Sequence, residues 1–452
     1  MYFIALASDY DGTLAQDGRV ERATLHALEL LQQSGRRLVL VTGRELPDLQ
    51  EVFPGLDLFT LVVAENGALL YEPASQRQTV LGPEPPTAFI ERLKERRVSP
   101  LSIGRCIVAT REPNEQIVLE TIRELGLEMQ ITFNKGAVMV LPAGVNKATG
   151  LAAALERMRL SPLNVVGIGD AENDHAFLSA CGCAVAVANA LPMVKEDAAI
   201  VTKASRGGGV AELIGRLVAD DLADVAAAVA HQRVALVREP DGSVIDLHPF
   251  SGNLLIAGTS GGGKSTLATG LLERLAECGL QFCVIDPEGD YAGLDGAVTV
   301  GDAKTPPSLR EAMELLEEPG NSVVVDLTGI DLAERPRDFA ELIPELSKLR
   351  SQTARPHWLL IDEAHHMLPS VLGTASVSLP RELAASIMVT VRPDLVALPA
   401  LEAVRLVLMV GADASMALRS FCRRTGDVVP QIDDRPLEHD EAILWDRESA
   451  AV

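Results

Sequence analysis

FIALASDYDGT, residues 3–13, is an apolar stretch that ends in two closely spaced aspartates. The apolar part predicts a buried strand, so Asp9 and Asp11 fall at the carboxyl end of that strand, where parallel sheets bind their ligands. Two carboxylates at positions i and i+2 can divide a reaction between them: Asp9 is the candidate nucleophile and Asp11 the candidate acid/base. The same residue types also occur in ordinary turns, so this interpretation depends on the rest of the chain.

Three later motifs supply the other parts of a phosphate-binding site. VTGR places the Thr42 hydroxyl at the end of the next predicted strand. VNKATGL places Lys147 near a helix start, where a cation and a helix N-terminus both favour phosphate. GIGDAENDHAF adds Asp170 and Asp174 after a further strand. Carboxylate oxygens suit Mg²⁺. The predicted metal ligands of this half are therefore Asp9, Asp11, Asp170 and Asp174.

The four motifs resemble, in order and spacing, those of the haloacid dehalogenase-like (HAD) phosphatases, and ENGA (65–68) resembles their Cof-type branch. The resemblance covers residues 1–215 and implies Mg²⁺-dependent hydrolysis of a phosphate monoester through a phosphoaspartate at Asp9. The family pattern NDxxM reads NDHAF here. We interpret this difference as packing, with His175 as a helix-surface or core residue. The alternative is a phosphatase fold that has lost its catalysis.

The resemblance also implies how the chain divides. The expected domains are a HAD Rossmann-like α/β core over 1–82 and 144–215, a small α+β cap over 83–143, a helical and hairpin connector over 216–250, and a second α/β domain over 251–452. The connector is expected to contain an Ala-rich helix over 217–232 and a hairpin over 233–248. The cap is short for the family, so its substrate-reading residues are not transferred.

GTSGGGKST, residues 258–266, follows the apolar strand LLIAG and precedes a predicted helix. Its glycines let backbone N–H groups close on phosphate oxygens, while Lys264 reaches the β- and γ-phosphates and Ser265 holds Mg²⁺. The sequence thus predicts an ATP site. The predicted ATP-binding residues are Gly258, Thr259, Ser260, Gly261, Gly262, Gly263, Lys264, Ser265, Thr266 and Asp362.

WLLIDEAHHML is a second apolar strand, and it ends in Asp362 and Glu363. Asp362 is expected to hold the Mg²⁺ shell through Ser265 or water, and Glu363 to polarise the attacking water. This pair favours hydrolysis of a nucleotide over transfer to another hydroxyl. The tandem histidines that follow, His365 and His366, are predicted to make polar contacts and not to bind metal. DPEGDY places three acidic residues after another strand end, close to the nucleotide.

GTSGGGKSTL, IDPEGDY, VVVDLTGI and LLIDEAHHML resemble the HerA/FtsK-type branch of the additional-strand P-loop ATPases, over about residues 245–445. The resemblance implies a RecA-like P-loop domain in a ring-forming homo-oligomer, with a hexamer expected and DNA left open as a substrate in the lumen. VTVRPD has Val391 where the family often has glutamine, which leaves the coupling of nucleotide to substrate open. Arg423 and Arg424 form either an arginine finger or a solvated basic pair.

Composition indicates a folded, acidic chain. Its 452 residues exceed one compact core, and its formal net charge of −23 excludes nucleic acid wrapped around the outer surface, although a locally basic channel stays compatible. The six cysteines form no CxxC pair, which fits a reducing compartment. The N-terminus predicts a strand and no signal peptide, and no apolar run approaches the ~20 residues of a membrane span. We therefore expect a cytoplasmic protein without a membrane segment.

Together these patterns predict a bifunctional hydrolase. Its phosphatase uses Asp9, Asp11, Thr42 and Lys147, and its ATPase uses Glu363 as the catalytic residue. The expected cofactor is Mg²⁺, and the expected substrates are a phosphate monoester and ATP. Two alternatives remain: a polynucleotide kinase-phosphatase that heals nucleic-acid ends, and a nucleotide-gated scaffold that regulates a small-metabolite phosphatase.

Overall fold

The two groups of motifs lie on two separate sheets. The computed structural model describes residues 1–134, 136–225, 233–248, 252–370, 385–432, 435–438 and 440–449. The chain divides into two units, Met1–Val229 and Ala230–Val452, at a point within the predicted connector.

The elements of the first unit alternate between strand and helix over most of its length. Its described strands are β1 (Ala5–Asp9), β2 (Arg37–Val41), β3 (Leu61–Ala64), β4 (Leu69–Glu72), β5 (Arg77–Val80), β6 (Ser102–Ile103), β7 (Val108–Arg111), β8 (Met129–Asn134), β9 (Ala137–Pro142), β10 (Val165–Gly169), β11 (Cys183–Ala186) and β12 (Ile200–Val201). Its described helices are α1 (Arg22–Gln33), α2 (Leu46–Val52), α3 (Thr87–Glu95), α4 (Glu115–Glu124), α5 (Lys147–Met158), α6 (His175–Ala180), α7 (Pro192–Asp197) and α8 (Arg206–Asp220).

The main sheet of this unit runs in the order β12-β11-β10-β1-β2-β3-β4-β5. Strands β12 to β3 are parallel, and β4 and β5 are antiparallel to their neighbours. Every residue of β1 and β10 is buried, as is typical of parallel strands covered on both faces. Asp9 ends β1 opposite Val41 of β2, so the loops that carry Asp9 and Thr42 leave the same edge of the sheet.

The cap is a four-stranded antiparallel sheet, β6-β7-β9-β8, with α3 and α4. Its own core joins the two helices to the sheet through Phe89, Leu93, Val118, Ile122, Val108 and Val140. Along the chain its elements follow in the order α3, β6, β7, α4, β8 and β9.

The predicted connector falls partly in each unit. Helix α8 belongs to the first unit: it contacts α1, and Asp221 just after it pairs with Arg36 at 2.8 Å. The helix predicted over 217–232 ends at Asp220, and its part from 226 to 232 lies outside the described residues. The predicted hairpin belongs to the second unit, where its first strand contacts the helix that follows the P-loop.

The second unit is also α/β. Its described strands are β13 (Val234–Arg238), β14 (Val244–Leu247), β15 (Asn253–Gly258), β16 (Phe282–Asp286), β17 (Ala297–Val300), β18 (Ser322–Asp326), β19 (Trp358–Ile361), β20 (Ser386–Thr390), β21 (Val404–Val410) and β22 (Ala442–Asp446). Its described helices are α9 (Lys264–Glu277), α10 (Leu309–Glu317), α11 (Arg335–Thr353), α12 (Ala364–Met367), α13 (Leu398–Glu402) and α14 (Ala414–Thr425).

Its large sheet runs in the order β17-β18-β16-β19-β20-β15-β21-β22 and is parallel except for β22. Strand β20 lies between β15, which leads into the P-loop, and β19, which leads into Asp362. This inserted strand is the additional strand that the sequence resemblance implied. The predicted α/β fold class is confirmed in both units. No helix in the described ranges is both long enough and apolar enough to cross a membrane.

Candidate active sites

Lys147 is the central residue of the phosphatase site. It is the first residue of α5, and the side chain of Asn146 fixes this helix start by accepting hydrogen bonds from the backbone N–H of Ala148 (2.9 Å) and Thr149 (3.0 Å). The Lys147 ammonium is buried and lies 2.6 Å from Asp9 Oδ1 and 2.5 Å from Asp174 Oδ1. The structure thus brings together three residues that are far apart in sequence.

Asp9, Asp170 and Asp174 form a buried carboxylate cluster. One oxygen of each lies within 4.8 Å of the others, and among the described residues this is the group with the donor set for a metal ion. Asp174 Oδ2 also accepts bonds from the backbone N–H of Asp170 (2.8 Å) and Ala171 (2.9 Å). Three carboxylates against one ammonium leave excess negative charge, and hard oxygen ligands suit Mg²⁺. The residues therefore fit this ion.

The electrostatics of the cluster agree with that fit. The pKa of Asp9 is raised from 3.8 to about 7, first by burial and then by the Asp174 carboxylate, while Lys147 acts in the opposite direction. The pKa of Lys147 is raised above its usual value because two carboxylates outweigh its burial. A divalent cation at this position would relieve the repulsion among the carboxylates.

Asp11, the predicted acid/base, lies outside this cluster. Arg44 holds its carboxylate through two bonds, Nε to Oδ2 at 2.7 Å and Nη2 to Oδ1 at 2.8 Å, and also contacts Asp48 at 2.6 Å. These bonds raise the pKa of the Arg44 guanidinium. The structure thus does not bring the Asp11 carboxylate to the predicted metal ligands. It shows instead a guanidinium partner that sequence reasoning missed.

Thr42 lies where the sequence placed it. It is buried after β2, its N–H donates to Val63 O at 2.8 Å, and its Oγ1 accepts from the Arg44 N–H at 3.1 Å. His175 lies on the surface, where its Nε2 is 2.8 Å from Asp197 Oδ2. Phe177 is buried, and the Lys147 ammonium lies 5.8 Å from the centre of its ring.

In the second unit the P-loop adopts a conformation that favours glycine at two positions. Gly261 and Gly263 have φ of 73° and 90°. At Gly258 a Cβ atom would meet Val410 O at 2.2 Å. Lys264 begins α9, and its ammonium donates to Thr259 O at 2.9 Å. Gly262 completes the loop, and Ser260, Ser265 and Thr266 are exposed.

Asp362 and Glu363 lie close to the P-loop lysine. Burial lowers the pKa of Lys264, and both carboxylates oppose that change. The pKa of Asp362 is raised to about 7, chiefly by burial. The charges of Asp362 and Glu363, after β19, therefore act on Lys264 of the P-loop.

His365 links Glu363 to the strand inserted between β15 and β19. Its Nδ1 lies 3.1 Å from Glu363 Oε2 and 3.0 Å from the Oγ1 of Thr390, which ends β20. This contact lowers the pKa of Glu363. Glu363 has a φ of 40°, in the left-handed region that a residue with a side chain rarely adopts. His365 therefore makes polar contacts with Glu363 and Thr390.

Other charged residues of the second unit lie in the DPEGDY turn, after β20 and in the last turn of α14. Asp286 is buried and accepts bonds from four backbone N–H groups, of residues 288, 289, 290 and 291, so it organises the DPEGDY turn. Arg392 pairs with Asp394 at 2.8 Å. Arg423 and Arg424 lie in the last turn of α14.

Comparisons with known proteins agree with this geometry. Residues 6–100 and 90–214 match the haloacid dehalogenase-like hydrolase family, and residues 244–384 match the central domain of helicase HerA. A phosphoglycolate phosphatase of Methanothermobacter thermautotrophicus is 33% identical over 223 residues, which are 47% of this chain and 97% of that protein. Phosphoglycolate phosphatase 2 of Saccharolobus solfataricus is 31% identical over 223 residues, 47% of this chain and 92% of its own length.

A solved haloacid dehalogenase-like hydrolase from Bacteroides thetaiotaomicron has 20% sequence identity and a TM-score of 0.43, and it covers 48% of this chain and 99% of its own. The family matches and the two relatives span the sheet that carries Asp9 and most of the sheet that carries Lys264. The chain belongs to the haloacid dehalogenase-like hydrolases through its N-terminal half, and it joins that hydrolase domain to a P-loop domain of the HerA type.

Proposed function

We propose that the chain is a bifunctional hydrolase, with a Mg²⁺-dependent phosphomonoesterase in the first unit and an ATPase in the second. The observation that carries the first half is the buried contact of Lys147 with Asp9 and Asp174, beside Asp170. Burying a lysine among carboxylates costs free energy because each charge loses its water. Such buried charged groups are common at functional sites.

In the proposed phosphatase reaction, Asp9 attacks the phosphorus atom of a phosphate monoester. The bond from phosphorus to the ester oxygen breaks. Asp11, which enters this step protonated and released from Arg44, gives that oxygen a proton, and the alcohol leaves. Asp11, now ionised, takes a proton from water as the water oxygen attacks the phosphorus of the aspartyl phosphate, which restores Asp9 and releases inorganic phosphate. Thr42 and Lys147 bind the phosphoryl oxygens. Mg²⁺ held by Asp9, Asp170 and Asp174 would neutralise charge between nucleophile and substrate.

We propose a small phosphorylated carboxylic acid as the substrate class, with 2-phosphoglycolate as the first compound to test. Two relatives that align over more than nine-tenths of their own length are phosphoglycolate phosphatases. Arg44 agrees with this class, because its guanidinium is partly exposed beside Asp11 and can bind a carboxylate. In the described structure that guanidinium holds Asp11.

In the proposed ATPase reaction, Lys264 binds the phosphates, and Ser265 and Asp362 would hold Mg²⁺, which would neutralise phosphate charge. Glu363 orients the attacking water and takes a proton from it as the water oxygen bonds to the γ-phosphorus. The bond from that phosphorus to the β,γ-bridging oxygen breaks, and ADP and inorganic phosphate leave. His365 positions Glu363, since its ring nitrogen lies 3.1 Å from that carboxylate. The match to the HerA central domain supports an extension of the proposal, in which copies of this unit form a ring, a hexamer in the resemblance, that acts on DNA.

Two variants of the full chain test the division of labour. Asp9→Asn should abolish phosphate release from 2-phosphoglycolate and leave ATP hydrolysis unchanged, and Lys264→Ala should do the reverse. Asp17→Asn and Lys304→Ala are matched controls, because both side chains are exposed. Loss of both activities in either variant, with the thermal unfolding transitions intact, would contradict two independent sites. ATP hydrolysis by Asp9→Asn with and without DNA tests the extension: no stimulation contradicts it.

A further inference from the structure

The turn Glu65-Asn66-Gly67 joins β3 to β4 and carries a motif to which the reaction assigns no role. Glu65 and Asn66 have φ of 52° and 55°, so two consecutive residues with side chains lie in the left-handed region. All three residues are buried. Such a conformation persists only where the surroundings hold it, and the contacts of the turn show what holds it.

The Glu65 carboxylate is directed at the cap. It is 1% exposed and accepts hydrogen bonds from three consecutive backbone N–H groups: Arg105 to Oε1 at 3.0 Å, Cys106 to Oε2 at 2.8 Å and Ile107 to Oε2 at 3.2 Å. A Cβ atom on Gly104 would lie 2.8 Å from this carboxylate, so glycine is the residue that fits there. A buried charge thus depends on donors that belong to the cap.

The rest of the turn contacts the phosphate-binding loops. The Glu65 N–H donates to Arg44 O and the Asn66 N–H donates to Thr42 O, both at 2.9 Å. Asn66 Oδ1 accepts from Asn173 Nδ2 at 3.0 Å, in the loop between Asp170 and Asp174. At Gly67 a Cβ atom would meet Asn146 O at 1.9 Å, so this residue packs directly on the start of the Lys147 helix.

We propose that Glu65 and Asn66 are positioning residues that couple the placement of the cap to phosphate binding. The inference rests on the proposed phosphatase function. If the cap is displaced, Glu65 loses its three backbone donors and its packing against the cap, so the turn loses contacts that hold its left-handed conformation. Asn66 then loses its fixed position against Thr42 and Asn173. Conversely, phosphate held by those loops stabilises the turn and, through Glu65, the cap, because coupling of this kind is reciprocal.

The test measures both ends of the coupling in the full chain. Isothermal titration gives the Kd of inorganic phosphate in the presence of Mg²⁺, and hydrogen exchange gives the protection of amides 105 to 107. Glu65→Gln places amide hydrogens against the backbone N–H donors of the cap. Gly104→Ala adds a Cβ that would lie 2.8 Å from the Glu65 carboxylate and 2.7 Å from Ile107 Cγ2. Asn66→Gly removes the side chain but tolerates a positive φ. Glu91→Gln, an exposed carboxylate on α3, is the matched control.

We expect Glu65→Gln and Gly104→Ala each to raise the phosphate Kd about tenfold and to expose amides 105 to 107 to exchange. Phosphate should slow exchange of these amides in the wild type by a similar factor. In Asn66→Gly they should keep their basal protection but no longer respond to phosphate, a result that a merely structural role does not produce. Glu91→Gln should match the wild type.

An unchanged phosphate Kd in Glu65→Gln, with amides 105 to 107 exposed, would overturn the coupling. A retained phosphate response in Asn66→Gly would overturn the part assigned to Asn66. If Glu65→Gln does not fold, Gly104→Ala and Asn66→Gly carry the test. A wild-type chain that binds no phosphate with Mg²⁺ would contradict the proposed function instead.

Discussion

Replacing Asp9 by asparagine should stabilise the metal-free first unit, and the gain should grow with pH. The pKa of Asp9 in the fold, about 7, exceeds the ordinary 3.8 by about three units. The fold therefore binds this proton more tightly than the unfolded chain does. The stabilisation from the protonated carboxyl is fully present below pH 3.8 and is lost as the pH rises through 7. Asparagine does not ionise, so it avoids that loss.

The magnitude follows from the same shift. Each pKa unit corresponds to about 1.4 kcal/mol, so three units give about 4 kcal/mol, of which about 3 kcal/mol falls between pH 5 and pH 8. This is an upper limit, because the site can relax around an ionised Asp9. For a unit of this size the advantage of the variant in Tm should increase by on the order of 10 °C over that range.

Differential scanning calorimetry of the full chain in EDTA, from pH 5 to pH 8, measures this change. If the second unit binds ATP as proposed, adding ATP should raise the Tm of its transition and so identify it. Saturating Mg²⁺ should reverse the difference at pH 8, since the wild type then has a carboxylate ligand that the variant lacks. Asp17→Asn is the control and should follow the wild type. Parallel pH profiles of wild type and Asp9→Asn in EDTA would refute the argument that Asp9 lies in an overcrowded carboxylate cluster.

Three further substitutions test other contacts. Lys147→Met should lower phosphatase kcat at least ~100-fold. In EDTA at pH 8 it should also destabilise the first unit by about 3 kcal/mol, because two buried carboxylates lose their cation. Equal Tm values for the variant and the wild type would contradict this. His365→Ala should lower ATPase kcat about tenfold with unchanged ATP affinity, as expected of a residue that only positions Glu363; a weaker ATP affinity at unchanged kcat would argue against that role. Gly150→Ala places a Cβ 2.6 Å from Gly67 Cα and should cost about 1–3 kcal/mol of unfolding free energy by calorimetry; no change would mean that the helix start can shift.

The sequence predicts the strands that lead into the motifs because each is a short apolar run with polar residues at its carboxyl end. Parallel pairing of β1 with β10 then brings those ends together without further information, which places Asp9 near Asp170 and Asp174. Lys147 reaches the two carboxylates Asp9 and Asp174 from the start of α5. The edge strand β22 was missed, although Ile443 and Trp445 alternate with more exposed residues. That period of two was the available signal.

Other features depend on contacts between distant residues. The pairing of Arg44 with Asp11 requires the loop after β2 to lie beside the loop after β1. No local sequence pattern indicates which carboxylate an arginine will pair with. Asp286 was expected near the nucleotide, and its four backbone donors become visible only once the turn is folded. The domain boundaries and the roles of the site residues remain predictions.

The most direct test of the central claim is to look for phosphate on Asp9. The wild-type chain is mixed with 2-phosphoglycolate and Mg²⁺ and quenched in acid at times shorter than one turnover. Mass spectrometry of the peptide that contains Asp9 then shows whether the carboxylate is phosphorylated. We expect a phosphorylated Asp9 in the wild type and no phosphorylation at this position in Asp9→Asn. Phosphate release by the wild type with no phosphorylated Asp9 at any quench time would contradict the proposed mechanism.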